Sequence, residues 1–112
     1  MLFVGEKRSK LAKKMKVTWK DGRLAAKQLF DALKYCGIDP KDVEFRNYFE
    51  KDGPTFVKSY NGPIIAMGDK VSKALRMAGI EHYFIYHPAA RGTIRKKEIY
   101  CEHVKTNLAD LL

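Results

Sequence analysis

The run Pro63-Ile64-Ile65-Ala66-Met67 is apolar throughout, with Asn61-Gly62 before it and Gly68 after it. Its length between turn formers is that of a strand, and with no alternating polar residue it offers water no face. A strand of that kind sits inside a parallel sheet with helices packed on both sides. Leu2-Phe3-Val4, ending at Gly5, reads as a second short buried strand. Val43 to Phe49 alternates as a third, and His82-Tyr83-Phe84-Ile85-Tyr86 as a fourth. Between them lie helical spacings: Ala26, Leu29, Phe30 and Leu33, stopped by Gly37, and then Val71, Ala74, Leu75 and Ala78, capped by Asp69 and ended at Gly79. A last helix carries Tyr100, Val104, Leu108 and Leu111. Lys51-Asp52-Gly53-Pro54 reads as a turn, while Thr55 to Asn61 fits no single pattern. Lys7 to Lys20 suits either an ordered loop or a short helix whose buried edge is Leu11, Met15 and Val17. The expectation is one domain over residues 1–112, a three-layer α/β/α sandwich with a central, mainly parallel four-stranded sheet.

Charge is the second constraint. The net charge is +9, and residues 1–20 hold seven Lys or Arg against one Glu. A second cluster, Arg91, Arg95, Lys96 and Lys97, follows the fourth strand. Localised positive charge attracts polyanions, so the expected partner is a nucleic acid. No apolar run approaches the roughly 20 residues that span a bilayer, so no membrane is expected. Cys36 and Cys101 are far apart in sequence and lack a metal-ligand spacing. They suggest a reducing, cytoplasmic setting without a disulfide scaffold or a metal. A monomer without cofactor is the accompanying expectation.

In an open parallel sheet, working groups gather beyond the carboxyl ends of the strands. Those ends are Gly5-Glu6, Asn47-Tyr48, Gly68-Asp69 and His87-Pro88. A carboxylate, an amide and an imidazole are therefore expected in one crevice. The amide offers a donor and an acceptor together, and histidine can donate to developing negative charge.

These strand ends carry a resemblance. Gly5-Glu6-Lys7-Arg8-Ser9 resembles the first motif of the uracil-DNA glycosylase superfamily, in the Gly-Glu-Ala-Pro-Gly form of its thermophilic-type members. Phe45-Arg46-Asn47-Tyr48, Pro63 to Val71 and His87-Pro88-Ala89-Ala90-Arg91 are similar to its later motifs, in the same order. The resemblance implies hydrolysis of an N-glycosidic bond to uracil or a related damaged or modified base in DNA, after base flipping. Glu6 would orient water or stabilise the sugar cation, and His87 would hold the departing base. Asn47 would read the base edge beside Gly5, with Trp19 or Tyr48 stacking on the ring. Lys7, Arg8, Lys13, Lys14, Arg91, Arg95 and Lys96 would grip DNA, and Gly68, Lys70 and Ser72 at a helix start would hold a backbone phosphate.

Two features depart from that pattern. Lys7-Arg8-Ser9 replaces Ala-Pro-Gly, and two cysteines cannot supply the four thiolates of an iron–sulfur site. A DNA-binding module that keeps this fold without cleaving is the alternative. A nucleotide-binding protein using the Gly68-Asp69 helix start is a third, with no Gly-rich phosphate fingerprint behind it.

Overall fold

The computed structural model describes residues 1–112. Strands β1 (Leu2–Gly5), β2 (Glu44–Asn47), β3 (Ile64–Met67) and β4 (Tyr83–Ile85) form one sheet in the order β2-β1-β3-β4. Every pairing is parallel. The helices are α1 (Lys10–Met15), α2 (Ala25–Tyr35), α3 (Gly53–Ser59), α4 (Asp69–Met77) and α5 (Lys97–Asn107). Short 3-10 turns lie at Trp19–Asp21, Pro40–Asp42, Thr93–Arg95 and Ala109–Leu111. The three-layer α/β/α architecture read from the sequence is the one observed.

Strand alternation divides the core in two. Phe3, Phe45, Ile65, Met67 and Ile85 point to the side covered by α2 and α5, where Leu29, Leu33, Tyr100 and Val104 meet them. Leu2, Val4, Ile64 and Ala66 point to the other side, against Val57 of α3 and Val71 and Leu75 of α4. All four residues of β3 are buried, as an uninterrupted apolar strand between two helical layers must be. Each fully buried large side chain contributes roughly 1.5–3 kcal/mol. Helix α2 closes in a Schellman turn: Gly37 takes φ 79°, Ile38 N–H donates to Leu33 O and Gly37 N–H to Lys34 O.

Several local expectations change. Strand β2 stops at Asn47 because the chain bends at Tyr48-Phe49, although Tyr48 N–H still donates to Gly5 O and Phe49 N–H to Glu6 O. Gly53-Pro54 opens α3 instead of forming a turn, since proline is tolerated in a helix's first turn. Gly53 must lack a side chain there, because a Cβ would stand 2.3 Å from Asn47 O. Gly68 at φ 101° occupies the cap position of α4, and Asp69 is its first helical residue. Ala78 is exposed, and Ser72 shares the buried face in its place. The basic segment does form a helix, α1, but it buries nothing: Leu11 is 52% and Met15 37% exposed. Six residues make under two turns, and only Val17 beyond them reaches the interior.

Cys36 and Cys101 are both free thiols. No helix is long and apolar enough to cross a membrane.

The two kinds of apolar residue should respond differently to truncation. Ile65→Ala, at a position with no exposure, is expected to cost about 2–5 kcal/mol in chemical denaturation. Leu11→Ala is expected to stay within about 0.5 kcal/mol of the parent.

Candidate functional site

The site begins at a register pair. Gly5 ends β1 directly opposite Asn47, the last residue of β2. Both follow the strand alternation onto the α2/α5 side, as do Phe3 and Phe45 two residues earlier. Without a side chain, Gly5 leaves room for what crosses it: a Cβ there would stand 2.7 Å from Asn47 Oδ1 and 2.9 Å from Trp19 Cζ2. Trp19 arrives on its 3-10 turn, which is closed by a capping box in which Thr18 N–H donates to Asp21 Oδ2 at 2.6 Å. Lys20 Nζ pins the turn to Val43 O at 2.6 Å. The indole stacks on Phe45, with centroids 6.2 Å apart and planes at 16°, and its Nε1–H donates to Asn47 Oδ1 at 2.8 Å.

Glu50 completes the arrangement. The bend at Tyr48-Phe49 turns its carboxylate back, where it accepts from the Arg8 backbone N–H and from Asn47 Nδ2 at 3.3 Å. Arg8 Nε lies 3.6 Å from the same carboxylate.

His87 comes from the loop after β4 and meets Trp19 edge-on, 5.9 Å between centroids. The Ala89 backbone N–H donates to its Nδ1 at 3.0 Å. In a neutral ring this puts the proton on Nε2. Burial lowers the His87 pKa below its ordinary 6.5, opposed by the charge of Glu6. The neutral form therefore holds at pH 7, with Nε2–H as its one donor.

Trp19, Asn47 and His87 line a mostly apolar pocket of about 240 Å³, walled by the segment Lys7 to Ala12 and by Leu24, Ala25 and Ala26 at the start of α2. Lys7, Arg8 and Arg23 supply its positive charge. A depression of about 390 Å³ adjoins it and shares Arg8, Trp19 and Asn47. A wider groove of about 1160 Å³ lies at the opposite, amino-terminal edge of β3 and β4. No group of three or more His, Cys, Asp or Glu side chains is placed to hold a metal ion.

Alternation keeps other candidates out. Glu6, one residue past Gly5, does not line the pocket; its Oε1 pairs with Lys70 Nζ at 3.1 Å. Tyr48 packs with the α3/α4 core and edge-on against Phe49, so Trp19 is the aromatic of the pocket. Ser72 is only 4% exposed. Its Oγ bonds His82 Nε2 at 2.8 Å and accepts from Arg76 at 3.1 Å, so it is not open to a phosphate. Gly68 caps α4 and Lys70 is committed to Glu6. Lys13 and Lys14 are exposed on α1, and Arg91, Arg95 and Lys96 are exposed on the loop after β4. That loop is tied to α2 by Gln28 Nε2 donating to Arg95 O at 2.8 Å.

Sequence reasoning missed Glu50, Arg23 and Leu24. Leu24 left a signal only in its backbone, φ 56°, which leucine rarely adopts. Glu50, three residues after Asn47, had none beyond that spacing.

Two outcomes follow. Gly5→Ala is expected to push Trp19 and Asn47 apart, lowering stability by about 1–3 kcal/mol and changing the emission of the single tryptophan. Burial also lowers the pKa of His103 below 6.5. Below the ordinary value the unfolded chain then binds more protons than the folded one, so stability is full above about pH 6.5 and falls as pH drops through it. Urea denaturation at pH 7.5 and 5.5 checks this, and His87→Gln should reduce the difference.

No family model, curated protein or solved structure matches this chain.

Proposed function

We propose that the pocket receives a base turned out of a DNA strand, and that the chain hydrolyses the N-glycosidic bond of uracil or a related damaged or modified base. One observation carries this reading. Trp19, Asn47 and His87, from three separate segments, converge on one small apolar pocket with a basic rim.

Each part suits the chemistry. A volume of about 240 Å³ lies just below the roughly 300–1,000 Å³ of small-molecule sites, which favours one flat ring over a dinucleotide. With Phe45 behind it, Trp19 is a rigid stacking surface, and stacking is worth about 1–3 kcal/mol per base. Asn47 keeps one N–H and one oxygen lone pair for a pyrimidine edge after its bonds to Trp19 and Glu50. As the bond to C1′ breaks, its electron pair moves onto the base and negative charge builds on a carbonyl oxygen. A neutral Nε2–H on His87 stabilises that charge without delivering a proton. Water then adds to C1′ of the sugar cation and gives up its proton to solvent, from which the departing base anion takes one, leaving the free base and an abasic sugar. Lys7, Arg8 and Arg23 suit the flanking phosphates.

Glu6 is the weak member. It is ion-paired with Lys70 and outside the pocket, so serving water or the sugar cation requires it to turn away from that lysine. This observation favours a second reading, a module that binds DNA and an extruded base without cleaving.

Single-uracil oligonucleotides, single- and double-stranded, followed by alkali and a denaturing gel, separate the two. Under the first reading the parent cleaves, and His87→Ala and Asn47→Ala each lose about 100-fold or more while DNA affinity survives. Glu6→Ala should then lose activity as well. Binding without cleavage, weakened by Lys13→Ala/Lys14→Ala and by Arg95→Ala/Lys96→Ala and steeply dependent on salt, selects the second.

A further inference from the structure

An asparagine amide in a base pocket is ambiguous until something fixes which end is oxygen. Uracil presents a carbonyl at C4 beside an N3–H. Cytosine presents an amino group at C4 beside a bare N3. For a base held in one orientation, turning the amide over exchanges the base it accepts. A freely turning Asn47 would therefore discriminate little. Here both ends are held: Oδ1 by the Trp19 Nε1–H at 2.8 Å, and Nδ2 by Glu50 Oε2 at 3.3 Å. Turning the amide over would set its N–H against the indole N–H and its oxygen against the carboxylate, losing both bonds and adding two repulsions. Glu50 is itself fixed, by the Arg8 backbone N–H and the Arg8 guanidinium.

Resting on the base-pocket reading above, we infer that Glu50 is a positioning residue: through Asn47 it sets which hydrogen-bonding edge of a pyrimidine the pocket accepts, admitting carbonyl-edged bases over amino-edged ones. It needs no contact with the base. Its carboxylate is required only as an acceptor, so glutamine can replace it in part, with its amide oxygen towards Asn47. Alanine cannot.

Trp19 is the only tryptophan, and its fluorescence reports occupation of the pocket. The test titrates the protein with three single-stranded oligonucleotides that differ at one position: uracil, cytosine or an abasic site. The parent is expected to prefer uracil to cytosine at least tenfold. Glu50→Ala should cut that ratio about three- to tenfold, the scale of one lost hydrogen bond, with the Trp19 bond still holding Oδ1. Its affinity for the abasic strand gauges the effect of releasing Arg8 alone, and the base ratio is read against it. Glu50→Gln should keep most of the preference. A Glu50→Ala ratio equal to the parent's would overturn the positioning role and leave the base pocket standing. A parent with no response to either base would overturn both. Equal loss on all three strands in Glu50→Ala would reduce Glu50 to a structural support of the loop, which also overturns the inference. Side-chain amide resonances of Asn47 in the free protein supply a readout without DNA: displaced from the positions of a solvent-exposed asparagine in the parent and Glu50→Gln, and moved towards those positions in Glu50→Ala.

Discussion

Everything in this domain hangs on β1 being covered from every side. Leu2, Phe3 and Val4 have no exposure at all. Two strands flank them in the sheet, and helices cover them above and below. Three residues thus join both cores, and the position where β1 ends is set by four neighbours at once. Gly5 inherits that rigidity. A site built on the last residue of such a strand is held far more tightly than one built on loops alone.

The charges around that point are divided with some economy. Two carboxylates hold two cations on opposite sides of β1: Glu50 takes Arg8 on the pocket side, and Glu6 takes Lys70 on the other. Both pairs are partly open to water, where ion pairs contribute only about 0–1 kcal/mol to stability. Their effect is on direction. Arg8 is held where it borders both depressions, and Glu6 is turned from the imidazole whose pKa its charge still raises. The lysines and arginines outside ion pairs, among them Lys13, Lys14, Arg91 and Arg95, carry the net positive field.

Much of this was legible in the residues. Ile64 to Met67 announced a doubly covered strand, and the strand-end positions of Asn47 and His87 placed them in one crevice. What was misjudged obeys a rule equally present in the sequence. Side chains alternate along a strand, so Gly5 and Asn47 share a face with Phe3 and Phe45 while Glu6 and Tyr48 fall on the other. Treating a strand end as a point lost that distinction. Ser72 was misjudged for the matching reason on a helix, where it lies beside Val71 and Leu75 on the buried stripe. Glu50 was beyond reach, because its return towards Asn47 depends on a bend at Tyr48-Phe49 that no residue type there dictates. Leu11 and Met15 looked like a buried edge, but α1 buries none of its residues, and Leu11 borders the open pocket instead.

The central place of β1 also has a cost in time. Leu2 pairs with Glu44 on one side and with Ile64 on the other, so its partners lie 42 and 62 residues further along. A ribosome adding roughly 5–20 residues per second presents this wholly buried strand seconds before either partner exists. Parallel pairing over such separations is intrinsically slow to close, because the loop entropy comes due before the contacts reward it. During that interval the strand's protection is the dense run of lysine and arginine directly behind it, whose mutual repulsion discourages association between nascent chains. The charges that leave the finished surface strongly basic thus also keep its first strand solitary while the rest is being made.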